Sequence, residues 1–120
     1  MYKILVVDDE KMIRELIKRY AKFEGHEVVE ACDGMEAIEK CHKEDYDLII
    51  MDVMMPELDG CTTLDNLKTL DGFITPVVMM TASSKDEVQD KIDEHGFDGY
   101  LSKPINKEYL EELLNTLLNK

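Results

Sequence analysis

The sequence predicts an α/β fold: a doubly wound parallel sheet of five strands that alternate with five helices. Three short apolar runs carry this prediction, at residues 4–7, 48–51 and 77–80. Each run is apolar without interruption, which indicates a strand buried on both faces, as in a parallel sheet covered by helices. Helical patterns lie between the runs, and right-handed crossovers place such helices on both faces of the sheet.

The three runs are predicted to be the first, third and fourth strands, because each is too short for a helix and is bounded by Asp, Pro or Thr. Two shorter strands are predicted at residues 28–29 and 100–101. They stand second and fifth along the chain, which completes the set of five.

The helices are predicted from apolar spacing and from end signals. In the first helix apolar side chains recur at residues 13, 16, 17 and 20, and Gly25 ends it. Asp33 followed by Glu36 is typical of a capping box and starts the second helix. Leu64 and Leu67 mark the third helix.

The last two helices follow the same logic. Ser84 and Glu87 are predicted to cap the fourth helix, and Gly96 ends it. The fifth helix has an apolar stripe formed by the leucines at residues 110, 113, 114 and 117.

Length and charge limit the classes of function. The chain has 120 residues, which fits one domain over residues 1–120. Asp and Glu total 27 against 14 Lys and Arg, a formal net charge of -13. This charge repels phosphate backbones and anionic lipids, which argues against direct binding of nucleic acid or membranes by this chain. The N-terminus lacks a signal-peptide layout, so we expect a cytoplasmic protein.

Polar side chains follow the predicted strands at the points where the strands end. Asp8 and Asp9 follow the first strand, Asp52 the third, Thr81 the fourth, and Lys103 comes just past the fifth. Ligands of open parallel sheets bind beyond the carboxyl ends of the strands, at a topological switch point. We therefore expect these side chains to converge on one site.

Asp8, Asp9 and Asp52 lie close together if the first and third strands are neighbours. Carboxylates that close disfavour ionisation unless a cation is present, and a site with only oxygen ligands suits a hard cation, above all Mg²⁺. The alternative is a solvated acidic patch, which an acidic chain forms easily. The spacing alone leaves both interpretations open.

Lys103 favours the first interpretation, although it is also a plausible salt-bridge partner for the carboxylates. An ammonium, a divalent cation and a hydroxyl around one aspartate are what a phosphoryl group needs. The cation, Lys103 and Thr81 could each bind one phosphoryl oxygen. Asp52 would then be the nucleophile and would form an aspartyl phosphate.

With these residues in place, the chain resembles the receiver domain of two-component response regulators. Four motifs carry the resemblance, in this order: Asp-Asp-Glu at 8–10, Asp-Val-Met-Met-Pro-Glu-Leu-Asp-Gly at 52–60, Thr-Ala at 81–82 and Tyr-Leu-Ser-Lys-Pro at 100–104. They span essentially the whole chain. The resemblance implies a flavodoxin-like receiver fold with strand order 2-1-3-4-5.

The resemblance also implies a role for each matching residue. Asp52 matches the phosphoacceptor, Asp9 the direct acidic ligand of Mg²⁺, and Asp8 a ligand that acts mainly through water. The backbone carbonyl of Met54 matches the third protein ligand. Mn²⁺ is expected as an alternative ion.

Further positions match residues that bind the phosphoryl group or respond to it. Thr81 matches a hydroxyl that moves to hold the phosphoryl group, and Lys103 matches the lysine that pairs with it. Tyr100 matches an aromatic that swings inward as the threonine moves. Three more positions match residues that shape the neighbouring loops: Pro56, Gly60 and Pro104.

The implied partners are a sensor histidine kinase or phosphotransfer protein, which supplies a phosphohistidine, and a downstream effector protein or domain. The chain would be a signalling phosphoprotein that catalyses only its own phosphorylation and dephosphorylation. We expect a monomer or a weak phosphorylation-dependent dimer, with the signal read at the face of the fourth helix, fifth strand and fifth helix.

Other classes fit the residues less well. A flavodoxin-like flavin binder needs a phosphate-binding loop after the first strand, where this chain has carboxylates. A phosphatase of the haloacid-dehalogenase type needs a second aspartate two residues after Asp52, and Met54 stands there. A degenerate receiver that serves only as an interaction module would have lost a site residue, and all are present.

Three positions bear on whether the receiver is joined to a DNA-binding output domain. Receivers joined to winged-helix DNA-binding domains usually have an acidic residue before the switch aromatic, a Phe after Lys-Pro and an Arg in the last helix. This chain has Gly99 and Ile105 at the first two positions and no Arg after Lys103. We therefore favour a stand-alone receiver or another architecture, with an N-terminal receiver fragment of a larger regulator as the alternative.

Overall fold

The computed structural model describes residues 2–55, 58–82 and 85–118. The strands are β1 (Lys3–Val7), β2 (Glu27–Ala31), β3 (Leu48–Asp52), β4 (Val77–Thr81) and β5 (Gly99–Ser102). The helices are α1 (Lys11–Phe23), α2 (Gly34–Lys43), α3 (Gly60–Leu67), α4 (Lys85–His95) and α5 (Lys107–Leu118). Within these described ranges, no helix is long and apolar enough to cross a membrane.

The five strands form one parallel sheet in the order β2-β1-β3-β4-β5, so the predicted fold class and strand order are confirmed. The three apolar runs form β1, β3 and β4, the central strands. The prediction for β2 was too short: the strand has five residues rather than two. It lies at the edge of the sheet, where polar residues such as Glu27 and Glu30 join the ladder without being buried.

Each central strand faces two separate cores, because successive side chains point to opposite faces of the sheet. Ile4, Val6 and Ile50 pack with α1 and α5 on one face. Leu5, Val7 and Met51 pack with α2, α3 and α4 on the other. This packing on both faces explains why the runs are apolar throughout and holds the strand ends rigidly.

Helix starts agree with the capping signals where the structure describes them. The Asp33 carboxylate accepts a hydrogen bond from the Glu36 amide at 2.8 Å. The Glu36 carboxylate accepts from the amide of Cys32 at 2.7 Å, one residue earlier than in the usual capping box. The predicted cap at Ser84 lies outside the described residues.

The C-terminal end of α4 is attached to α3. The Lys68 ammonium donates to the carbonyl of His95 at 2.7 Å and lies 3.3 Å from the carbonyl of Gly96. The His95 ring nitrogen Nδ1 lies 3.1 Å from a carboxylate oxygen of Asp65. Gly96 has a φ of 81°, as expected of a glycine that ends a helix. A cation therefore satisfies the last carbonyls of this helix.

Candidate functional site

The strand register brings the predicted site residues to one edge of the sheet. Val7 at the end of β1 pairs with Met51 of β3, so Asp8 and Asp52 follow at the same level. Asp52 itself pairs with Met80, the residue before Thr81, and Thr81 pairs with Ser102. The carboxyl ends of the four strands β1, β3, β4 and β5 therefore meet, as the sequence predicted.

Three carboxylates lie together at this edge. Asp8, Asp9 and Asp52 each offer an oxygen, and these atoms lie within 4.8 Å of one another. Asp8 is fully buried and Asp52 is 3% exposed, whereas Asp9 is open to solvent. Like charges at this distance repel one another, and burial of two of them weakens the screening by water. The cluster therefore needs a positive partner.

Lys103 supplies a positive charge from the loop after β5. Its ammonium lies 3.1 Å from Oδ2 of Asp8 and 3.2 Å from Oδ2 of Asp52. The backbone amide of Lys103 donates to the carbonyl of Thr81 at 3.0 Å, which fixes the loop beside β4. The peptide bond between Lys103 and Pro104 is cis. Lys103 therefore forms ion pairs with two of the three carboxylates, and its pairing with a phosphoryl group stays a prediction.

The burial and charge of the site shift two pKa values. Burial raises the pKa of the Asp52 carboxyl and the negative charge of Asp8 adds to this, while Lys103 acts in the opposite direction without cancelling it. Burial lowers the pKa of the Lys103 ammonium, but its interactions with Asp8 and Asp52 outweigh burial and leave it raised. Asp52 is thus a more basic carboxylate than an ordinary aspartate, next to a lysine that holds its proton firmly.

The loop after Asp52 folds back on the aspartate. The Met54 amide donates to Oδ1 of Asp52 at 3.1 Å, and the Met54 side chain is 72% exposed. The amide of Gly60 donates to the carbonyl of Val53 at 3.0 Å. A Cβ on Gly60 would lie only 2.5 Å from the carbonyl oxygen of Asp52, so a glycine is required there. Pro56, the other predicted loop residue, lies outside the described residues.

Thr81 and Tyr100 lie on neighbouring strands. Thr81 ends β4 and is 2% exposed. Tyr100 pairs with Met79, two residues earlier on β4, and its half-buried side chain packs against the core cluster that also contains α2, α3 and α4 residues. Tyr100 also lines a cavity of about 310 Å³ together with Pro104 and Tyr109. Tyr100 therefore borders both the core and this cavity.

The donor set fits a hard divalent cation. Oδ2 of Asp8 is buried and accepts no hydrogen bond, because Lys103 approaches it as an ion pair without hydrogen-bonding geometry. A buried carboxylate oxygen with a free lone pair beside two further carboxylates matches the oxygen ligands that Mg²⁺ prefers. The cluster can therefore accept such an ion.

Sequence reasoning missed Arg14, which contacts the same segment. Its Nη1 donates to the backbone carbonyl of Asp8 at 2.8 Å, and its Nε donates to the carboxylate of Glu30 at 3.1 Å. The first helix was predicted from its apolar positions alone, which leaves its charged residues without a role. A carboxylate within the mainly apolar segment 27–31 was the available signal, because it indicates a cationic partner nearby.

The sheet order and the acidic site with its lysine define a receiver-type signalling domain. The chain belongs to the response regulator receiver domain family, whose model matches residues 4–115. Receiver domains of this family interact with histidine kinases and with effector domains, and phosphorylation and Mg²⁺ binding are typical of them.

Two relatives illustrate the contexts in which such domains occur. The chain is 40% identical over 118 residues to the osmosensing histidine protein kinase SLN1 of Saccharomyces cerevisiae. This match covers 93% of this chain and 10% of SLN1. It is 38% identical over 120 residues to the alkaline phosphatase synthesis transcriptional regulatory protein PhoP of Bacillus subtilis, covering 98% of this chain and 49% of PhoP. The chain thus spans about half of PhoP and a tenth of SLN1.

Solved structures agree with the family assignment. The chemotaxis response regulator CheY4 of Vibrio cholerae superposes with a TM-score of 0.92 at 34% identity, covering 98% of this chain and 99% of CheY4. The receiver domain of the sensor histidine kinase PA1611 of Pseudomonas aeruginosa superposes with a TM-score of 0.89 at 25% identity. The superposition covers 99% of this chain and 98% of the PA1611 receiver domain. That receiver domain has a magnesium ion coordinated in its active site cleft.

Proposed function

We propose that this chain, as a receiver domain over residues 1–120, is a phosphoaccepting switch of a two-component system. Asp52 accepts a phosphoryl group from a phosphohistidine of a sensor kinase or phosphotransfer protein, in a reaction that depends on Mg²⁺. One observation carries the proposal: the buried Asp52 carboxylate lies 3.2 Å from the Lys103 ammonium and within 4.8 Å of Asp8 and Asp9 oxygens.

Asp52 is suited to act as the nucleophile. Its Oδ1 is held by the Met54 amide at 3.1 Å and its Oδ2 by Lys103 at 3.2 Å, so the carboxylate is already oriented. Its raised pKa makes it more basic than an ordinary aspartate. In the transfer, a carboxylate oxygen forms a bond to phosphorus while the bond between phosphorus and the histidine nitrogen breaks. The imidazole leaves with the electron pair of that bond and takes up a proton.

Other residues handle the charge of the phosphoryl oxygens. The Lys103 ammonium, now shared between Asp8 and Asp52, can pair with one of these oxygens, and the Thr81 hydroxyl can donate to another. Asp9, Asp8, Asp52 and the backbone carbonyl of Met54 would hold Mg²⁺ or Mn²⁺. When bound, the ion supplies positive charge that offsets the repulsion between carboxylates and phosphoryl oxygens.

Transmission is proposed to run from Thr81 to Tyr100. An inward movement of Thr81 toward the phosphoryl group vacates space that the half-buried Tyr100 ring can fill, next to its cavity of about 310 Å³. Tyr100 borders the face formed by α4, β5 and α5, so this surface would change for a downstream effector. A phosphoryl group can tilt such an equilibrium only if the free-energy gap is on the order of a few kcal/mol.

A small-molecule phosphodonor tests the proposal. The chain is incubated with phosphoramidate and Mg²⁺, and intact mass spectrometry follows the added phosphoryl group. We expect modification of the wild type and none of Asp52→Asn. Asp71→Asn, which changes an exposed aspartate outside the site, is the matched control and should be modified like the wild type. No modification of the wild type would overturn the proposal and would favour a pure interaction module.

A further inference from the structure

We propose that Arg14 is a positioning residue for the acidic segment that follows β1, and that it sets the geometry in which Asp8 and Asp9 receive the cation. The inference rests on the proposed function, because the segment it positions belongs to the proposed Mg²⁺ site. Arg14 lies on α1 and does not itself offer a ligand atom to the ion.

The contacts of Arg14 join three elements. From α1, its Nη1 donates to the backbone carbonyl of Asp8 at 2.8 Å. Its Nε donates to Oε1 of Glu30 on β2 at 3.1 Å. The Arg14 side chain is only 15% exposed, so both bonds are largely shielded from water. The planar guanidinium therefore fixes the end of β1 relative to the neighbouring helix and strand.

The carbonyl of Asp8 is a sensitive point for the site. It belongs to the planar peptide unit that leads into Asp9, so its direction sets the start of the Asp9 backbone. On the other side of the same residue, Oδ1 of Asp8 accepts the Glu10 amide at 2.8 Å. These two bonds together hold both the main chain and the side chain of Asp8. The Asp8 amide also donates to the carbonyl of Ala31 at 3.2 Å, so loss of the Arg14 bond would free mainly the peptide unit between Asp8 and Asp9.

Glu30 orients the arginine. Its carboxylate contacts Arg14 at 3.1 Å and the Lys18 ammonium at 3.5 Å. The Lys40 ammonium donates to the Glu30 backbone carbonyl at 2.6 Å. The Glu30 carboxylate side chain keeps 30% of its surface exposed, and ion pairs that water can reach contribute little to stability, so we assign this arrangement mainly a geometric role. Lys18 contacts the same Glu30 carboxylate but does not hydrogen-bond to Asp8, so it offers a matched control.

Substitution of Arg14 changes Mg²⁺ affinity in opposite directions depending on whether Arg14 acts by positioning Asp8 or through its charge. Arg14 is a cation close to a cation site, so removal of its charge alone should tighten Mg²⁺ binding. Loss of positioning should weaken binding, because partners that orient metal ligands typically contribute about tenfold or more to affinity. Arg14→Lys keeps the positive charge but loses the planar guanidinium that donates to both the Asp8 carbonyl and the Glu30 carboxylate.

The experiment is a Mg²⁺ titration of the full chain followed by the backbone amide signals of Asp9 and Glu10 in NMR spectra. We expect about tenfold weaker binding for Arg14→Ala and a smaller weakening for Arg14→Lys. Lys18→Ala should bind as tightly as the wild type or more tightly. Equal or tighter binding by both Arg14 variants would overturn the inference, and thermal melts show that each variant is folded.

A second readout does not depend on the metal. In the metal-free chain, hydrogen exchange of the Glu10 amide should be about tenfold faster in Arg14→Ala and unchanged in Lys18→Ala, since the bond to Asp8 is then less often formed. Unchanged exchange in Arg14→Ala would overturn the inference. A wild type that binds no Mg²⁺ would overturn the proposed function instead, and this exchange rate would still decide the role of Arg14.

Discussion

Gly60 packs directly against the main chain of Asp52. A Cβ on Gly60 would lie 2.5 Å from the carbonyl oxygen of Asp52 and 2.9 Å from the Cα of Val53. Both are backbone atoms and have no rotamer by which to move away. The first turn of α3 can therefore approach the end of β3 this closely only with a glycine at its start.

Gly60→Ala should destabilise the chain by about 2 kcal/mol, because the new methyl group forces the backbone at Asp52 to shift. The same shift should slow phosphorylation by phosphoramidate. Urea unfolding and the rate of mass gain measure the two effects. Gly99→Ala is the matched control, since its Cβ would make only an ordinary contact of 3.5 Å with Leu113. Equal losses in both variants would contradict the close-approach argument.

The raised pKa of Asp52 predicts that the free energy of unfolding of the metal-free chain depends on pH. A carboxyl whose pKa is raised on folding stabilises the protein when protonated, and this stabilisation is lost as pH rises through the folded pKa. Asp52→Asn, which mimics the protonated state, should thus be more stable than the wild type at pH 7. The difference should vanish below the ordinary value of 3.8. Urea unfolding in EDTA across this range measures it, and a less stable Asn variant at pH 7 would refute it.

Mg²⁺ should stabilise the wild-type chain. An ion that binds only the folded state adds about 1.4 kcal/mol at tenfold excess over its dissociation constant. Thermal melts across Mg²⁺ concentrations check this. Asp9→Asn should lose most of the response without unfolding, because Asp9 is exposed, whereas Asp71→Asn should respond fully. A melting temperature of the wild type that is independent of Mg²⁺ would count against the site.

The proposed coupling between Thr81 and Tyr100 predicts a change in NMR signals. Mg²⁺ with a beryllofluoride mimic of the phosphoryl group should shift backbone signals from Thr81 through Tyr100. Thr81→Ala should still be phosphorylated on Asp52 but should lose most of the shift around Tyr100. The exposed Thr69 offers a control, and Thr69→Ala should behave like the wild type. Equal responses around Tyr100 in Thr81→Ala and the wild type would rule out this coupling.

The sequence predicted the features that depend on burial. Uninterrupted apolar runs gave the central strands, and the parallel arrangement then implied that Asp8, Asp52 and Lys103 meet at one edge. It did not predict the length of β2, because the edge strand is defined by backbone pairing rather than by apolar side chains. It also gave no sign that Asp8 rather than Asp9 is the buried carboxylate. Both residues lie beyond the end of β1, so the alternation of side chains along the strand does not say which one faces inward.

Arg14 shows a second kind of limit. Its partners are a main-chain carbonyl, which has no side-chain signature, and Glu30, which is 16 residues away in the chain. A polar contact of this kind depends on the distance between helix α1 and strand β2, and that distance is set by packing in the whole fold. Local patterns can therefore indicate that Glu30 has a cationic partner, but they cannot identify that partner as Arg14.

The attachment of α4 to α3 has a mechanical consequence. Lys68 and Asp65 hold the last turn of α4 at His95 and Gly96. A helix held at one end changes position mainly by tilting about that end, so its displacement grows with distance from the attachment. In α4 the largest displacement would fall on the first turn, which follows β4 in the chain, and Val88 of that turn would have to shift within the core. Movement that begins at the acidic edge of the sheet would therefore reach its greatest amplitude beside that edge and fade toward the opposite one.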